Sequence, residues 1–361
     1  MSDVTILGGG NTAFSVAANL THKGHRVTLW ETPSFEHTLE PISQTSEINL
    51  VGVEAQGPAK IHRLTTDVKE ALAFSDLVLV IVPSYAHEPF IEVCTPHFTT
   101  DHTVVLMPGN LGALAWSKAL RDAGAPLPTL AEVDTAPYVC RKTEPDTATI
   151  WGTVTALGLG VLPNTSTEDV RARLDKLFPG VTTYPDVAAC GLSAMNPVVH
   201  PAGVLMNAGR VEYSRGEFYF YDEGVSPTVA RVITQVDVER RAVGKALGYD
   251  LKPANEAFHD AGFGPKGDLW AAINGSRMLT ALRAPGSLDS RWLTEDIPFG
   301  LASWSSVGSQ YGVETPTMDA FIDVGSIVMG FDGWEASRGV AELGIKDLSL
   351  DQLKTFLGSG G

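Results

Sequence analysis

Cysteine is scarce in this chain. Its 361 residues contain only Cys94, Cys140 and Cys190, with no CxxC spacing. An odd number of scattered thiols builds neither a disulfide framework nor a zinc knuckle, and predicts a reducing, cytoplasmic setting. There is no HExxH, and His97 and His102 lack the helical spacing of metal ligands. No metal is therefore expected. Positive charge is also short: 26 Lys and Arg against 42 Asp and Glu give a net charge of −16. Without a basic footprint, nucleic acid is excluded as a partner, whereas a small anion needs only one or two well-placed cations. No apolar run is long enough for a bilayer, so no membrane partner is expected. The sequence MSDVTILGGG runs straight into a strand without a charged n-region, so no secretory leader is expected.

The composition is that of a packed globular protein, 44% hydrophobic and 19% charged. At roughly 150 residues per domain, the length predicts two domains. Val4 to Leu7 reads as a strand, Thr12 to Lys23 as a helix closed by Gly24, and Arg26 to Trp30 as the next strand. The alternation continues with buried strands at Asp76 to Val82 and Thr103 to Met107, and helices at Glu88 to Cys94 and Leu111 to Ala123. Thr147 to Ala156 and Gly180 to Tyr184 read as added strands that finish the domain. Strands alternating with helices predict a parallel, doubly wound sheet. Near residue 186 the pattern turns helical, with helices at Ala188 to Tyr213, Pro227 to Leu247 (N-cap Ser226, Gly248 beyond the end), Thr317 to Met329 and Leu350 to Leu357. The predicted fold is α/β: a doubly wound sheet domain over 1–185, then an all-helical domain over 186–361.

Gly8-x-Gly10-x-x-Ala13 lies between the first strand and the first helix. The first glycine allows a tight turn, the second a close approach of backbone to a pyrophosphate, and the small third residue close helix packing. Gly8, Gly10, Asn11, Thr12 and Ala13 are thus candidate contacts for the phosphates of a dinucleotide. Glu31 follows Gly10 by 21 positions, at the end of the second strand. An acid there binds ribose hydroxyls and repels a 2′-phosphate, favouring NAD, although Arg26 and Thr32 lie close enough in sequence to serve a phosphate and keep NADP open. Two further loops follow buried strands and so border the dinucleotide, one with Pro83 and Ser84, the other with Asn110. Each reads equally well as an ordinary Pro/Gly turn.

In the second half, Asn196, His200 and Asn207 place three polar groups on one face of an otherwise apolar helix, with Pro197 and Pro201 weakening it. His200 is either a group that exchanges protons near neutral pH or a core histidine satisfied by a carbonyl. Arg291 and Asp296 supply either a carboxylate clamp and a carboxylate partner for a base, or a surface ion pair. Tyr138, Met195, Tyr219, Tyr221 and Trp270 are candidates for a largely apolar substrate pocket, with core packing the alternative for each.

Taken together, Gly8-Gly9-Gly10-Asn11, Met107-Pro108-Gly109-Asn110, Glu132-Val133-Asp134-Thr135-Ala136-Pro137-Tyr138-Val139-Cys140-Arg141, Asn196 to Pro201, Phe220 to Pro227, Val236 to Arg240 and Arg291 to Asp296 resemble the octopine/nopaline (opine) dehydrogenase family over nearly the whole chain. The likeness is nearest to bacterial N-(1-carboxyethyl)-norvaline-type enzymes. The resemblance implies a Rossmann domain followed by a helical substrate domain. It also implies an NAD(P)H-dependent condensation of an L-amino acid, apolar on the residues above, with an α-keto acid such as pyruvate. It puts the catalytic histidine on His200, its carboxylate partner on Asp296 and the carboxylate-holding arginine on Arg291, with Asn196 beside them. Tyr138, Met195, Tyr221 and Asn207 are the expected substrate contacts, and a homodimer is the expected assembly. Pro197 departs from the pattern and could move the helix start and the aim of the ring. Hydroxyacid dehydrogenases of the 6-phosphogluconate, ketopantoate and glycerol-3-phosphate types share this layout but rely on a lysine where Asn196 to Asn207 has none. A non-catalytic NAD sensor would need the glycine loop alone.

Overall fold

The computed structural model describes residues 1–360, and contacts divide them into two compact units: 1–187 with 356–360, and 188–355. In the first, the chain runs β1 (Asp3–Leu7), α1 (Asn11–His22), β2 (Arg26–Trp30), β3 (Glu47–Gly52), β4 (Gly57–Lys60), β5 (Arg63–Thr65), α2 (Val68–Phe74), β6 (Leu77–Val80), α3 (His87–Cys94), β7 (Thr103–Leu106), α4 (Gly112–Asp122), β8 (Thr129–Val133), β9 (Tyr138–Glu144), β10 (Thr147–Thr153), β11 (Gly158–Leu162), α5 (Thr167–Leu174) and β12 (Thr182–Thr183).

Eight strands form one sheet in the order β12-β11-β8-β7-β6-β1-β2-β5. From β5 to β8 every neighbour is parallel, and β11 returns antiparallel to β8. The wholly apolar β6 is buried along its length, as a strand covered on both faces must be. Strand order reverses between β1 and β6, so the crevice for a ligand opens beyond their carboxyl ends. The loops after β1, β2, β6 and β7 all end there.

Two sequence expectations change here. Thr147 to Thr153 does not extend the main sheet. The Pro145-Asp146 turn brings it back antiparallel onto β9, and β3 and β4 complete a separate four-stranded sheet, β4-β3-β10-β9, that lies against α1. The strand expected over 180–184 shrinks to Thr182–Thr183 at the sheet edge.

The second unit is built from α6 (Val187–Gly191, its first residue in the other unit), α7 (Asn196–Leu205), α8 (Ala208–Ser214), α9 (Pro227–Ala246), α10 (Ala254–Asp260), α11 (Leu269–Asn274), α12 (Arg291–Thr294), α13 (Ser303–Gln310), α14 (Pro316–Met329) and the first part of α15 (Leu350–Ser359, its residues from Phe356 on in the other unit). The single helix expected over 188–213 is three helices. Gly191 ends the first, Pro197 in the first turn starts the second, and the third begins after Asn207. The central helix α9 starts as its residues dictate, with the Ser226 hydroxyl accepting from the Val229 amide. Its buried polar residues are structural. Arg240, fully buried, donates to Asp237 and to the carbonyls of Leu192 and Lys252, and the Glu239 carboxylate accepts from the Thr317 and Met318 amides at the start of α14. The end of the chain, expected with the helical half, joins the first unit, where the Arg121 guanidinium lies 4.8 Å from the centre of the Phe356 ring.

Candidate active site

In the first unit, Gly8 has φ +122, and a Cβ there would stand 2.6 Å from the Ile81 carbonyl just beyond the end of β6, so only glycine fits the turn. Gly10 is the N-cap of α1, extended and without a side-chain cap. A Cβ on Gly10 would meet nothing within 4 Å, and no acid occupies the first turn of the helix. The amides of Asn11, Thr12 and Ala13 precede the first intrahelical bond, from Phe14 to the Gly10 carbonyl. Open space against uncapped amides at a positive helix end fits a pyrophosphate.

The surrounding candidates separate into those that face this loop and those that brace it. Ala13 is fully buried in the core. Asn11 uses its side-chain oxygen to accept from the Lys142 amide on β9, 2.9 Å, and the Thr12 hydroxyl lies 3.8 Å from Cys140 Sγ. Glu31 is buried, and its two oxygens accept from the Gly9 and Thr32 amides at 2.6 and 2.7 Å. Burial pushes this carboxyl above the usual range while the two amides and nearby His37 pull it back. Pro83 leads into a tight turn that carries Ser84. Asn110 Nδ2 donates to Ser84 Oγ, 3.0 Å, which joins the two expected loops through buried side chains. Glu132 is wholly buried and accepts from the Leu111 and Ala113 amides, fixing the loop after β7. Arg26 cannot serve a phosphate beside Glu31. It stands at the opposite end of β2, with its Nε 2.7 Å from Asp3. Tyr138 lies in the core of the first unit, its hydroxyl accepting from Asn19 at 2.7 Å.

In the second unit, α7 carries His200, 6% exposed. Its Nδ1 is 2.7 Å from Asp296 Oδ2 and its Nε2 is 3.1 Å from the Tyr221 hydroxyl. Burial, and secondarily the charge of Asp296, raise the Tyr221 phenol well above its ordinary value. The phenol therefore keeps its proton; with the ring neutral, Nδ1–H donates to the Asp296 carboxylate and Nε2 accepts from the Tyr221 hydroxyl, and with the ring protonated Nε2–H donates to that hydroxyl instead. Burial also raises Asp296, opposed first by the hydrogen bond from His200 and then by its charge.

Both partners sit on wide turns closed by i→i+5 hydrogen bonds, Val225 to Phe220 and Leu301 to Asp296. Pro197 does not mis-aim the ring. It opens α7, and Gly300 packs so closely on it that any Cβ would collide. That close approach brings the Asp296 turn to the helix.

The Trp292 ring lies parallel to His200, centroids 4.2 Å apart and planes at 6°, with Phe220 edge-on to Trp292 at 4.6 Å. Trp292 sits between Arg291 and Asp296 in the sequence, but nothing in the spacing marks it as a site residue. Arg291, half-exposed, donates through Nε to the buried Glu295 at 2.7 Å. Asn196 is exposed one turn before His200, and Met195 is half-buried just before the helix. Asn207 does not share that helix face, because α7 stops at Leu205. Its amide nitrogen donates to the carbonyls of Gly203 and Gly224, tying the helix end to the turn that carries Tyr221. Of the outlying candidates, Tyr219 and Trp270 are both exposed. This buried imidazole, with a carboxylate on one nitrogen and a phenol on the other, is equipped to give and take a proton.

Residues 183–329 match the alpha-helical domain of the NAD/NADP octopine/nopaline dehydrogenases, and residues 3–109 match the N-terminus of NAD-dependent glycerol-3-phosphate dehydrogenase. The chain is 28% identical over 351 residues to an opine dehydrogenase of Arthrobacter sp. (strain 1C), covering 97% of both chains. It is 25% identical to the protein ocs of Agrobacterium tumefaciens (strain Ach5), covering 96% of both. Among solved structures, octopine dehydrogenase in complex with NADH and agmatine superposes with a TM-score of 0.81 at 20% identity, covering 100% of this chain and 98% of the other. NADP⁺-bound yersinopine dehydrogenase superposes with a TM-score of 0.71 at 15% identity, covering 99% and 98%. These two likenesses establish the fold.

Proposed function

We infer that this chain, an NAD(P)-dependent oxidoreductase of the octopine/nopaline dehydrogenase family, is an opine dehydrogenase that joins the amine of an L-amino acid to an α-keto acid such as pyruvate and, in reverse, oxidises the product. The observation that carries the chemistry is the His200–Asp296–Tyr221 cluster. In the reductive direction the amine adds to the keto carbon, and the carbinolamine loses water to give an imine. The glycine loop and the amides of Asn11, Thr12 and Ala13 would hold a reduced dinucleotide, whose chemistry would be hydride donation to the imine carbon.

His200, protonated, gives its proton to the departing hydroxyl. In the oxidative direction the neutral ring removes the proton of the secondary amine. Asp296 fixes the tautomer and stabilises the imidazolium. Arg291, its Nε anchored by Glu295, holds a substrate carboxylate through its fork. Asn196 and Met195 stand at the start of the same helix and contribute to the substrate side. The ring of Trp292, partly exposed beside the buried Phe220 and Tyr221, supports an apolar amino acid as the amine donor.

Gly8, Gly10, Asn11, Thr12 and Ala13 hold the pyrophosphate through the loop and its amides. Glu31 stands at the ribose, and Pro83, Ser84 and Asn110 border the remainder. A cytoplasmic location is supported by three unpaired cysteines. No helix among the described residues is long and apolar enough to cross a membrane. A homodimer is the proposed assembly, for light scattering to decide.

The test mixes protein, NADH, pyruvate and a panel of L-amino acids. Amine-dependent oxidation of NADH is expected, and His200→Ala is expected to abolish it while NADH still binds. Oxidation with no amino acid in the panel, or turnover retained in His200→Ala, would overturn the reading.

A further inference from the structure

The Rossmann loop has a cation beside it that the βαβ unit does not contain. Lys142 belongs to β9 of the small sheet, and its backbone amide is tied to Asn11 at the start of α1. Its Nζ lies 3.7 Å from the centre of the Phe14 ring, and 3.4 Å from both the Gly9 and the Thr38 carbonyls. These are long contacts for an ammonium with three donors. No carboxylate stands within ion-pair distance of it among the described residues. Burial pulls the pKa of this half-buried ammonium below its usual value, and the nearby charge of Glu31 opposes that.

The same corner holds an unsatisfied acceptor and donor. Thr38 Oγ1 is buried without a hydrogen-bond partner, and it is the first atom that a Cβ on Gly9 would strike. Glu31, the acid that should repel a 2′-phosphate, already has one oxygen on the Gly9 amide and the other on the Thr32 amide. Its charge is thus partly answered by backbone donors, with His37 adding a favourable charge.

Resting on the reading of this loop as a dinucleotide site, we propose that Lys142, with Thr38, forms a subsite for a phosphate monoester on the adenosine 2′-hydroxyl. The chain then accepts the 2′-phosphorylated coenzyme despite Glu31. Lys142 donates from Nζ to the phosphate, and Thr38 offers its hydroxyl. The Phe14 ring faces the ammonium, which gains charge-assisted bonds that two distant carbonyls do not supply.

Titration of the unmodified protein with 5′-ADP and with 2′,5′-ADP, followed by calorimetry, separates this proposal from its premise. Failure of 5′-ADP to bind would overturn the dinucleotide site itself. Binding of 5′-ADP with 2′,5′-ADP weaker by a hundredfold or more would overturn the Lys142 subsite alone. The expected result is 2′,5′-ADP binding at least as tightly as 5′-ADP. In Lys142→Met the ratio of the two dissociation constants should shift at least tenfold against 2′,5′-ADP, and Lys142→Arg should restore most of it. Equal weakening of both nucleotides in Lys142→Met would assign the ammonium to the pyrophosphate instead and overturn the proposal.

Discussion

Replacing Asp296 by Asn keeps the volume of the side chain and removes its charge. The imidazole then loses the acceptor for its Nδ1 proton, now held at 2.7 Å. An amide nitrogen placed there would donate to Nδ1 and drive the ring hydrogen onto Nε2, the nitrogen that now faces the Tyr221 hydroxyl. The larger effect is electrostatic. Two unit charges about 4 Å apart at an effective dielectric of about 20 interact by about 4 kcal/mol, so an imidazolium formed in the transition state loses roughly that much. At 1.36 kcal/mol per decade this is about a thousandfold in kcat. The assay is steady-state oxidation of NADH with pyruvate and the best amino acid, paired with fluorescence titration of NADH. The Kd for NADH is expected to stay within about twofold, since Asp296 belongs to the unit that does not carry the glycine loop. A loss of less than tenfold in kcat, with the fold intact by circular dichroism, would refute the claim that this carboxylate supports a charged ring.

Other outcomes follow from the same geometry. Trp292→Leu removes the ring stacked on His200, a contact worth up to about 2 kcal/mol to a desolvated cation, so kcat should fall by about 30-fold while Trp292→Phe keeps most of it; parallel rate measurements on the two variants check this. Glu31→Gln should raise the KM for NADH and ease use of NADPH, read from paired kinetics with both coenzymes; unchanged preference would place the ribose elsewhere. Asp134, which accepts from the Tyr184 hydroxyl and the Gly158 amide, is pushed up to about 6 by burial. A raised folded-state value means that its contribution to stability is present in full below pH ~4 and is lost as pH rises through 6, a change of about 3 kcal/mol. Urea denaturation from pH 4 to 8 should show that decline in the parent chain and a flatter profile in Asp134→Asn.

The parts of the fold that could be read from the sequence are those with a strong local signal. The first βαβ unit combines a β-rich run, three glycines and a capped helix, and β2 falls on Arg26–Trp30 as expected. Ser226 and Pro227 announce α9 in the same way. The small sheet gave no such signal. Its strands are short and mixed in polarity, and β4 contains both Gly57 and Pro58, residues that usually argue against a strand. Missing that sheet meant missing Lys142, which reaches the glycine loop from a strand 131 residues beyond Asn11. His200 and Asp296 were legible through their motifs, but the stacking of Trp292 and the capture of Arg291 by Glu295 depend on how a short helix is rotated, which spacing does not encode. Asn207 was misplaced for a related reason: the apolar periodicity continues across residues 205–208 although the hydrogen-bonded helix does not.

The two wide turns that carry Tyr221 and Asp296 each contain one residue more than an ordinary helical turn would need. Deleting a single residue from 297–302 would let that stretch relax into regular α-helix, with better backbone bonds. It would also swing whatever precedes it by about 100° around the axis. The carboxylate would then face away from the imidazole. Such a shortened chain could melt at a higher temperature than its parent and turn over nothing, so selection for heat resistance alone would be expected to erode this segment first.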